Sequence, residues 1–241
     1  MGALDHAFAV LEGVSLHQPV GVSELARRLE INKTTAQRAL IDLERHGWIR
    51  RAPENEQRWI LTTKALSIGA RHRAASDLRS AARPIIQELA RHTGETIHLT
   101  IFDGVELVLI EQVEAETALR THARIGDRAL PHLAASGLVM MAAMRADELH
   151  ALLDATAQRL RPPDAPLDRR AVLAQVETAR SAGYLLVRGT RHPDVSAIAA
   201  AVLDAGGAPR GAISISMPTH RLAPELVAPF GEAVAAAAQE I

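Results

Sequence analysis

Five polar side chains crowd the start of one amphipathic segment: Lys33, Thr34, Thr35, Gln37 and Arg38. These side chains carry hydrogen-bond donors that suit phosphate oxygens and the edges of bases. Threonine is a poorer helix former than alanine or glutamate, so helix stability does not explain two adjacent threonines here. The free N–H groups and the dipole at the start of a helix also favour a phosphate. The segment is therefore predicted to be a helix that enters a DNA groove by its first turns.

Three short helices are predicted to position these donors. The first has an apolar stripe at helical spacing, made of Leu4, Ala7, Phe8, Leu11 and Val14. Ser23 can cap a second helix that ends at Leu29. The third runs over residues 33–46 and buries the stripe Ala36, Ala39, Leu40 and Leu43.

A hairpin is predicted after the third helix, because residues 48–51 and 58–62 flank the turn-rich stretch "APENEQ". Its Arg50, Arg51 and Arg58 can lie along a phosphate backbone or in a minor groove. Three helices and a hairpin form the winged helix-turn-helix plan. The alternative is a small helical core whose polar face serves protein contact. Glu30 stands in the turn where glycine is usual, at a cost of about 1–2 kcal/mol if its backbone is left-handed.

Charge and composition narrow the class of protein. The net charge is −1, but residues 1–83 carry 13 Lys+Arg against 9 Asp+Glu, and the remainder carries 14 against 19. This asymmetry favours nucleic-acid contact by the first segment. There is no cysteine, which excludes disulfides and thiolate zinc sites. No signal peptide and no apolar run of membrane-spanning length are evident, so we expect a cytoplasmic protein without a membrane partner.

The rest of the chain alternates strands and helices. Residues 63–80 are predicted to be a linker helix, and Pro84 is predicted to stand in the first turn of another helix. Two strands, 96–102 and 105–113, flank an Asp-Gly turn. Further strands are predicted at 183–189, 196–204 and 211–218, and further helices at 133–144, 147–159, 168–181 and 224–239. The predicted fold class is α+β, with a winged helix-turn-helix over 1–62, the linker over 63–80 and an α/β domain over 81–241.

Four stretches resemble the IclR family of bacterial transcription regulators: "SELARRLEINKTTAQRALIDLERHGWIRR", "GETIHLTIFDGVELVLIEQVE", "RIGDRALPHLAASG" and "AGYLLVRGTRHPDVSAIAAAVLDAGGAPRGAISISMP". They follow the order of the family and cover nearly the whole chain. The resemblance implies a GAF-like C-terminal domain that binds a small effector. It also implies homodimers paired through the N-terminal domains, often assembled into tetramers.

The resemblance further implies an effector pocket. Its positions in this sequence are Ala135, Ser136, Val187, Ala197, Ser214 and Ser216, together with Arg188. The acidic run and the cysteine that are common in the family are absent here, which favours an apolar ligand such as an aromatic acid. Arg188, Arg191 or Arg124 can pair a ligand carboxylate, or can be solvated surface residues. His132 is expected to pack beside the pocket or to contact the ligand.

The sequence contains few motifs that would indicate an enzymatic or a metal site. There is no Gly-x-Ser-x-Gly elbow, no Gly-rich phosphate loop and no His-Glu-x-x-His motif among the 11 histidines. We therefore expect no catalytic residues, no metal and no cofactor. The sequence predicts a ligand-responsive regulator, most simply a repressor of a catabolic operon, whose partners are a double-stranded operator and a small effector. The alternatives are a DNA-binding protein whose second domain only oligomerises, and a hydrolase that uses the pocket.

Overall fold

The computed structural model describes residues 2–71, 73–115, 123–160, 167–190 and 192–241. The chain divides into two compact units, of which the first ends at Arg73 and the second begins at Ala74. Each unit has its own hydrophobic core.

The first unit is a helical triad with a small antiparallel sheet. Its elements are α1 Ala3–His17, β1 Val20–Gly21, α2 Val22–Arg28, α3 Lys33–Arg45, β2 Ile49–Ala52, β3 Asn55–Leu61 and α4 Lys64–Gly69. The strand order is β1-β3-β2, with Ile49 opposite Leu61 and Val20 opposite Trp59. The predicted stripe of α3 is buried, and Trp59 closes the core from the sheet. This unit is the predicted winged helix-turn-helix.

The predicted stripe of α1 is wrong in its first half. The buried residues of α1 are Val10, Gly13 and Val14, whereas the side chains of Leu4 and Phe8 are 68% and 57% exposed. Helix α1 meets α2 closely at Gly13, where an added Cβ would lie 2.7 Å from Leu25 Cδ1. This contact turns Leu4 and Phe8 away from the core of the unit.

The linker is also different from the prediction of one helix over 63–80. Helix α4 ends at Gly69, and a second helix, α5, runs over Arg73–Thr93 with Pro84 inside it. Proline removes the hydrogen bond to the carbonyl of Ser80, but Ser80 is exposed and water can replace that bond. The apolar positions Leu78, Ala82, Ile86 and Leu89 continue across the proline at helical spacing, so packing carries α5 past it.

The second unit is a six-stranded antiparallel sheet covered by helices. Its other elements are β4 Thr96–Asp103, β5 Glu106–Val113, β6 Arg128–Ala129, α6 Ala135–Ala142, α7 Ala146–Arg159, α8 Arg169–Ala182, β7 Leu185–Arg188, β8 Val195–Leu203, β9 Pro209–Pro218 and α9 Val227–Glu240. The strand order is β6-β5-β4-β9-β8-β7. The short strands β1 and β6 were not predicted from the sequence. The predicted fold class, a winged helix-turn-helix followed by an α/β domain, is confirmed.

Strand alternation gives the sheet two different faces. On one face Ile97, Leu99, Ile213 and Ile215 pack with α5 and α9. On the other face Leu185, Ala199 and Ala212 pack against α6 and α8. Successive side chains of a strand point to opposite faces. A polar residue that lies between two apolar residues of the first face therefore points to the face that α6 and α8 cover. No helix in the described ranges is long and apolar enough to cross a membrane.

Candidate functional sites

The start of α3 forms the first candidate site, and three of its five predicted donors are exposed. These are Lys33, Thr34 and Arg38, whereas Thr35 and Gln37 are half-buried. No acidic residue stands in the first turn, and the side chain of Asn32 does not cap the helix. The positive end of the helix dipole therefore faces solvent together with a lysine, which suits a phosphate group.

The three arginines of the hairpin differ in their partners. The Arg51 guanidinium lies 3.6 Å from the centre of the Trp59 ring, and its Nη1 donates to the Glu56 carbonyl at 2.8 Å. Arg58 Nη1 donates to the Pro19 carbonyl at 2.7 Å. Arg50 is exposed, and the only hydrogen bond of its side chain in the described part of the chain is a long one, 3.4 Å, from Nη1 to the carbonyl of Arg51. Arg50 thus has the guanidinium of the hairpin that is least engaged within the protein, while those of Arg51 and Arg58 also contact the first unit itself.

Glu24 also helps to hold the side chain of Arg58 in place. Its carboxylate lies 3.6 Å from Arg58 and 2.9 Å from Arg28. The hydrogen bond from Arg28, with a smaller contribution from Arg58, lowers the pKa of Glu24, so this carboxylate stays ionised at neutral pH. Part of the positive charge of Arg58 is thereby neutralised within the protein.

Helix α3 and the hairpin border a polar cleft of about 530 Å³. Its lining side chains come from the start of α2, the start of α3 and the hairpin: Ser23, Glu24, Lys33, Gln37, Arg51, Asn55, Gln57, Arg58 and Trp59. Asn55 and Gln57 were not predicted as site residues, and they add amide donors and acceptors at the hairpin. The cleft extends the polar surface from α3 to the strands of the hairpin.

The second candidate site is a cavity of about 420 Å³ in the second unit. Of the seven predicted effector residues, six line it: Ala135, Ser136, Val187, Ala197, Ser214 and Ser216. Strand β9 alternates Ile213, Ser214, Ile215 and Ser216, so its isoleucines enter the core while its serines face the cavity. Strand register brings Ser214 opposite His98, and Ser216 opposite Ala197.

Arg188 is the predicted effector residue that does not line the cavity. It follows Val187 on β7, so strand alternation directs it to the opposite face, where it is exposed. Arg124 is also exposed and away from the lining, and Arg191 lies outside the described residues. His132 is buried in the turn before α6 and does not line the cavity either.

The start of α6 supplies backbone donors to the cavity. No side chain caps this helix, and the N–H groups of Gly137 and Leu138 donate to the Ala134 carbonyl. Within the described ranges, the N–H groups of Ala135 and Ser136 have no acceptor, and both residues line the cavity. Gly137 makes this geometry possible, because an added Cβ there would lie 2.2 Å from the Pro131 carbonyl oxygen.

Several residues that line the cavity were not predicted from the sequence. The polar ones are His98, Thr100, Asp127, Thr190, His192 and Asp194. His98 and Thr100 share the cavity face of β4 with the predicted serines of β9, a pairing that the strand pattern alone could not reveal. Asp127 and Asp194 show that the cavity does have acidic groups, although the acidic run expected after "GY" is missing. No lysine or arginine in the described ranges lines it.

The side chains and N–H groups at these sites are suited to binding a ligand. Across the described segments, no cluster of three or more histidine and acidic side chains has the geometry to hold a metal. The polar groups of the cavity are hydroxyls, imidazoles, two carboxylates and free N–H groups, set among apolar walls that include Leu107, Leu109, Leu133 and Val195. Such a mixture is typical of a site that binds a small organic molecule.

Two family models match the chain. The model described as the IclR helix-turn-helix domain matches residues 3–53, and that of the bacterial transcriptional regulator IclR C-terminal matches residues 72–241. The HTH-type transcriptional regulator BhcR of Paracoccus denitrificans is 30% identical over 241 residues, which is 99% of this chain and 85% of that protein. The HTH-type transcriptional repressor AllR of Escherichia coli is 28% identical over 242 residues, 99% of this chain and 88% of the repressor.

Solved structures share the fold. The Thermotoga maritima IclR has a TM-score of 0.77 and 24% identity, with 98% of this chain and 96% of that chain covered. An IclR homologue from Microbacterium hydrocarbonoxydans, solved in complex with 4-hydroxybenzoate, has a TM-score of 0.79 and 22% identity, with 99% and 97% covered. At these identities the likeness establishes the common architecture.

Proposed function

This chain belongs to the IclR family of bacterial transcriptional regulators, and from this we propose that it binds an operator as a homodimer under the control of a small organic effector. It is a DNA-binding transcription regulator, and its relatives are regulators, not enzymes. The observation that carries the proposal is the combination of exposed donors at the start of α3 with a 420 Å³ cavity in the second unit.

For the DNA contact, we assign Lys33 to phosphate, and Thr34, Gln37 and Arg38 to base edges. Thr35 is half-buried at the side of the helix, where its hydroxyl can reach a phosphate. We assign Arg50 to a phosphate of the DNA backbone beside the hairpin. Arg51 and Arg58 act mainly by keeping the hairpin against the helices, because their guanidinium groups already bind the protein.

For the effector, we propose an aromatic acid. A carboxylate can be held by the free N–H groups of Ala135 and Ser136 and by the hydroxyls of Ser214 and Ser216, and a ring hydroxyl can donate to Asp127 or Asp194, which also line the cavity. A ring then fits between the apolar walls, and a cavity of this volume is within the usual range for a small ligand. The complex of the Microbacterium homologue with 4-hydroxybenzoate supports an effector of this kind.

For the assembly, we propose a dimer paired through the first units, and a tetramer built from two dimers. The exposed apolar side chains of Leu4 and Phe8, which are neighbours one turn apart on α1, support the pairing, since a contiguous exposed apolar patch is typical of an interaction site. We further propose that the protein represses transcription, as the name of the relative AllR states for that protein.

The DNA proposal is tested by selecting binding sequences from a random duplex library with the full-length protein. We expect two half-sites in inverted orientation, because a twofold dimer presents two identical recognition helices. The affinity of the selected DNA is then measured by fluorescence anisotropy at several salt concentrations for the wild type and two variants.

Arg38→Ala should weaken binding by about 1–3 kcal/mol and relax the preference at one base pair. Lys33→Ala should weaken binding to all sequences and lower the salt dependence by about one unit of slope. Arg210→Ala is the control, since it removes one positive charge from an exposed site in the second unit. Wild-type binding by both α3 variants at every salt concentration would show that α3 is not the recognition helix.

A further inference from the structure

Ile41 is an exposed apolar residue in the middle of α3. Its side chain is 41% exposed, although the helix buries Ala36, Ala39, Leu40 and Leu43 on its other side. A single exposed apolar residue is ordinary on a protein surface and needs no explanation by itself. The position of Ile41 on the helix is what makes it informative.

Ile41 lies on the same face as the proposed base-reading residues. With about 100° of rotation per residue, Thr34, Arg38 and Ile41 fall within about 60° of one another and directly opposite the buried stripe. Together with Gln37 they follow the spacing i, i+3, i+4 and i+7, which is the spacing at which a recognition helix presents side chains to the bases of a major groove. Ile41 therefore stands on the centre line of the surface that would face DNA.

The surroundings of Ile41 suit a groove of DNA better than a protein surface. From Lys33 to Ile41 the helix carries two positive charges and no acidic residue, and Asp42, which follows Ile41, is paired with Arg45 at 3.3 Å. This charge favours the phosphates on both sides of a groove. The apolar feature that a major groove offers is the C5-methyl group of thymine.

We propose that Ile41 contacts the methyl group of a thymine in each half-site and is a specificity-determining residue of this regulator. The inference depends on the proposed DNA binding through α3. Ile41 lies about 10 Å along the helix from Thr34, because seven residues rise 1.5 Å each. With α3 lying along the groove, this distance places its thymine roughly three base pairs from the bases that Thr34 contacts.

The experiment uses the DNA that the protein itself selects from the random library. Each thymine of a half-site is replaced in turn by deoxyuridine, which lacks only the methyl group. For the wild type, we expect one replacement to weaken binding about fourfold, which corresponds to one methyl group no longer buried. For Ile41→Ala, we expect weaker binding to the unmodified DNA and no further loss at that position.

Two controls separate this contact from general effects. Leu203→Ala truncates a side chain of similar exposure, 46%, in the second unit and should bind every DNA as the wild type does. Melting temperatures of both variants should match the wild type, since neither side chain belongs to a core. The inference is overturned if Ile41→Ala binds the unmodified DNA like the wild type, or if deoxyuridine at the same position weakens its binding as much as it weakens that of the wild type. It is also overturned if no replacement of a thymine weakens binding by the wild type. If the library yields no preferred sequence at all, the proposed DNA recognition fails first, and the two failures are thereby distinguished.

Discussion

Glu30 has a left-handed backbone, with φ of 54°, and no other non-glycine residue of the described segments has a positive φ. It lies in the turn between α2 and α3, where glycine is usual and where the sequence predicted strain if the backbone is left-handed. A side chain in this conformation costs about 1–2 kcal/mol, whereas glycine adopts it freely. Glu30 thus carries a local destabilisation directly before the recognition helix.

Glu30→Gly should therefore stabilise the first unit. Glycine also makes the unfolded chain more flexible, which offsets part of the gain, and we expect a net increase of about 0.5–1 kcal/mol in the free energy of unfolding. The measurement is the urea midpoint. Glu54→Gly is the matched control, because it removes the same charge from an exposed turn residue with an ordinary backbone and should not stabilise. Equal shifts for the two variants would contradict the strain at Glu30.

Residue types alone could identify donors but not their partners. Ser214 and Ser216 were predictable, because the resemblance matched them and the alternation with isoleucine in β9 fixes their face. The partners of Arg50, Arg51 and Arg58 could not be predicted, since an arginine can equally bind a phosphate or a carbonyl of its own chain. Arg51 and Arg58 are held by Trp59 and by the Pro19 carbonyl, and these contacts depend on how β3 packs.

At the scale of elements, α6 depends on a glycine for its position beside the cavity. The turn of residues 131–133 packs directly on Gly137, where a Cβ would meet the Pro131 carbonyl at 2.2 Å. This close approach holds the start of α6, with the free N–H groups of Ala135 and Ser136, at the wall of the cavity. The sequence "ASG" indicated a helix start, but the contact with Pro131 needed the fold.

Gly137→Ala should force the turn and α6 apart. Because a backbone oxygen cannot move as a flexible side chain does, we expect a loss of about 1–3 kcal/mol in the free energy of unfolding of the second unit. Gly69→Ala is the control, since Gly69 lies in α4 with open space around it, and alanine is the better helix former. Chemical denaturation of both variants tests this, and a Gly137→Ala protein as stable as Gly69→Ala would show that the contact with Pro131 yields easily.

Helix α5 shows why element boundaries were less predictable than element types. Proline is a common first-turn residue, so Pro84 indicated a helix start. In the structure it is internal, because burial of Ala82, Ile86 and Leu89 against the sheet outweighs one missing hydrogen bond whose carbonyl is exposed to solvent. The preference of proline for the first turn of a helix is outweighed here by tertiary packing, which cannot be read from a single sequence.

At the scale of the whole molecule, the chain combines a basic first segment with an acidic remainder, and a DNA-binding unit with a cavity-bearing unit. The two-part organisation was predictable from the helix-turn-helix pattern and the later strands. Effector control requires that the ligand bind more tightly to one arrangement of the protein than to the other. If the second unit served only for oligomerisation, the cavity would bind no ligand, and DNA affinity would depend on salt and protein concentration alone.

The most direct test of the account is the affinity of the selected DNA with and without an effector, measured by fluorescence anisotropy at one salt concentration. The effector is the compound from a panel of benzoates and other small carboxylates that most raises the melting temperature. We predict that it changes the DNA dissociation constant by about 5–150-fold, and that Ser214→Ala needs more ligand for the same change. A compound that stabilises the protein but leaves the DNA dissociation constant unchanged would contradict effector control of DNA binding, and so would a panel in which no compound raises the melting temperature.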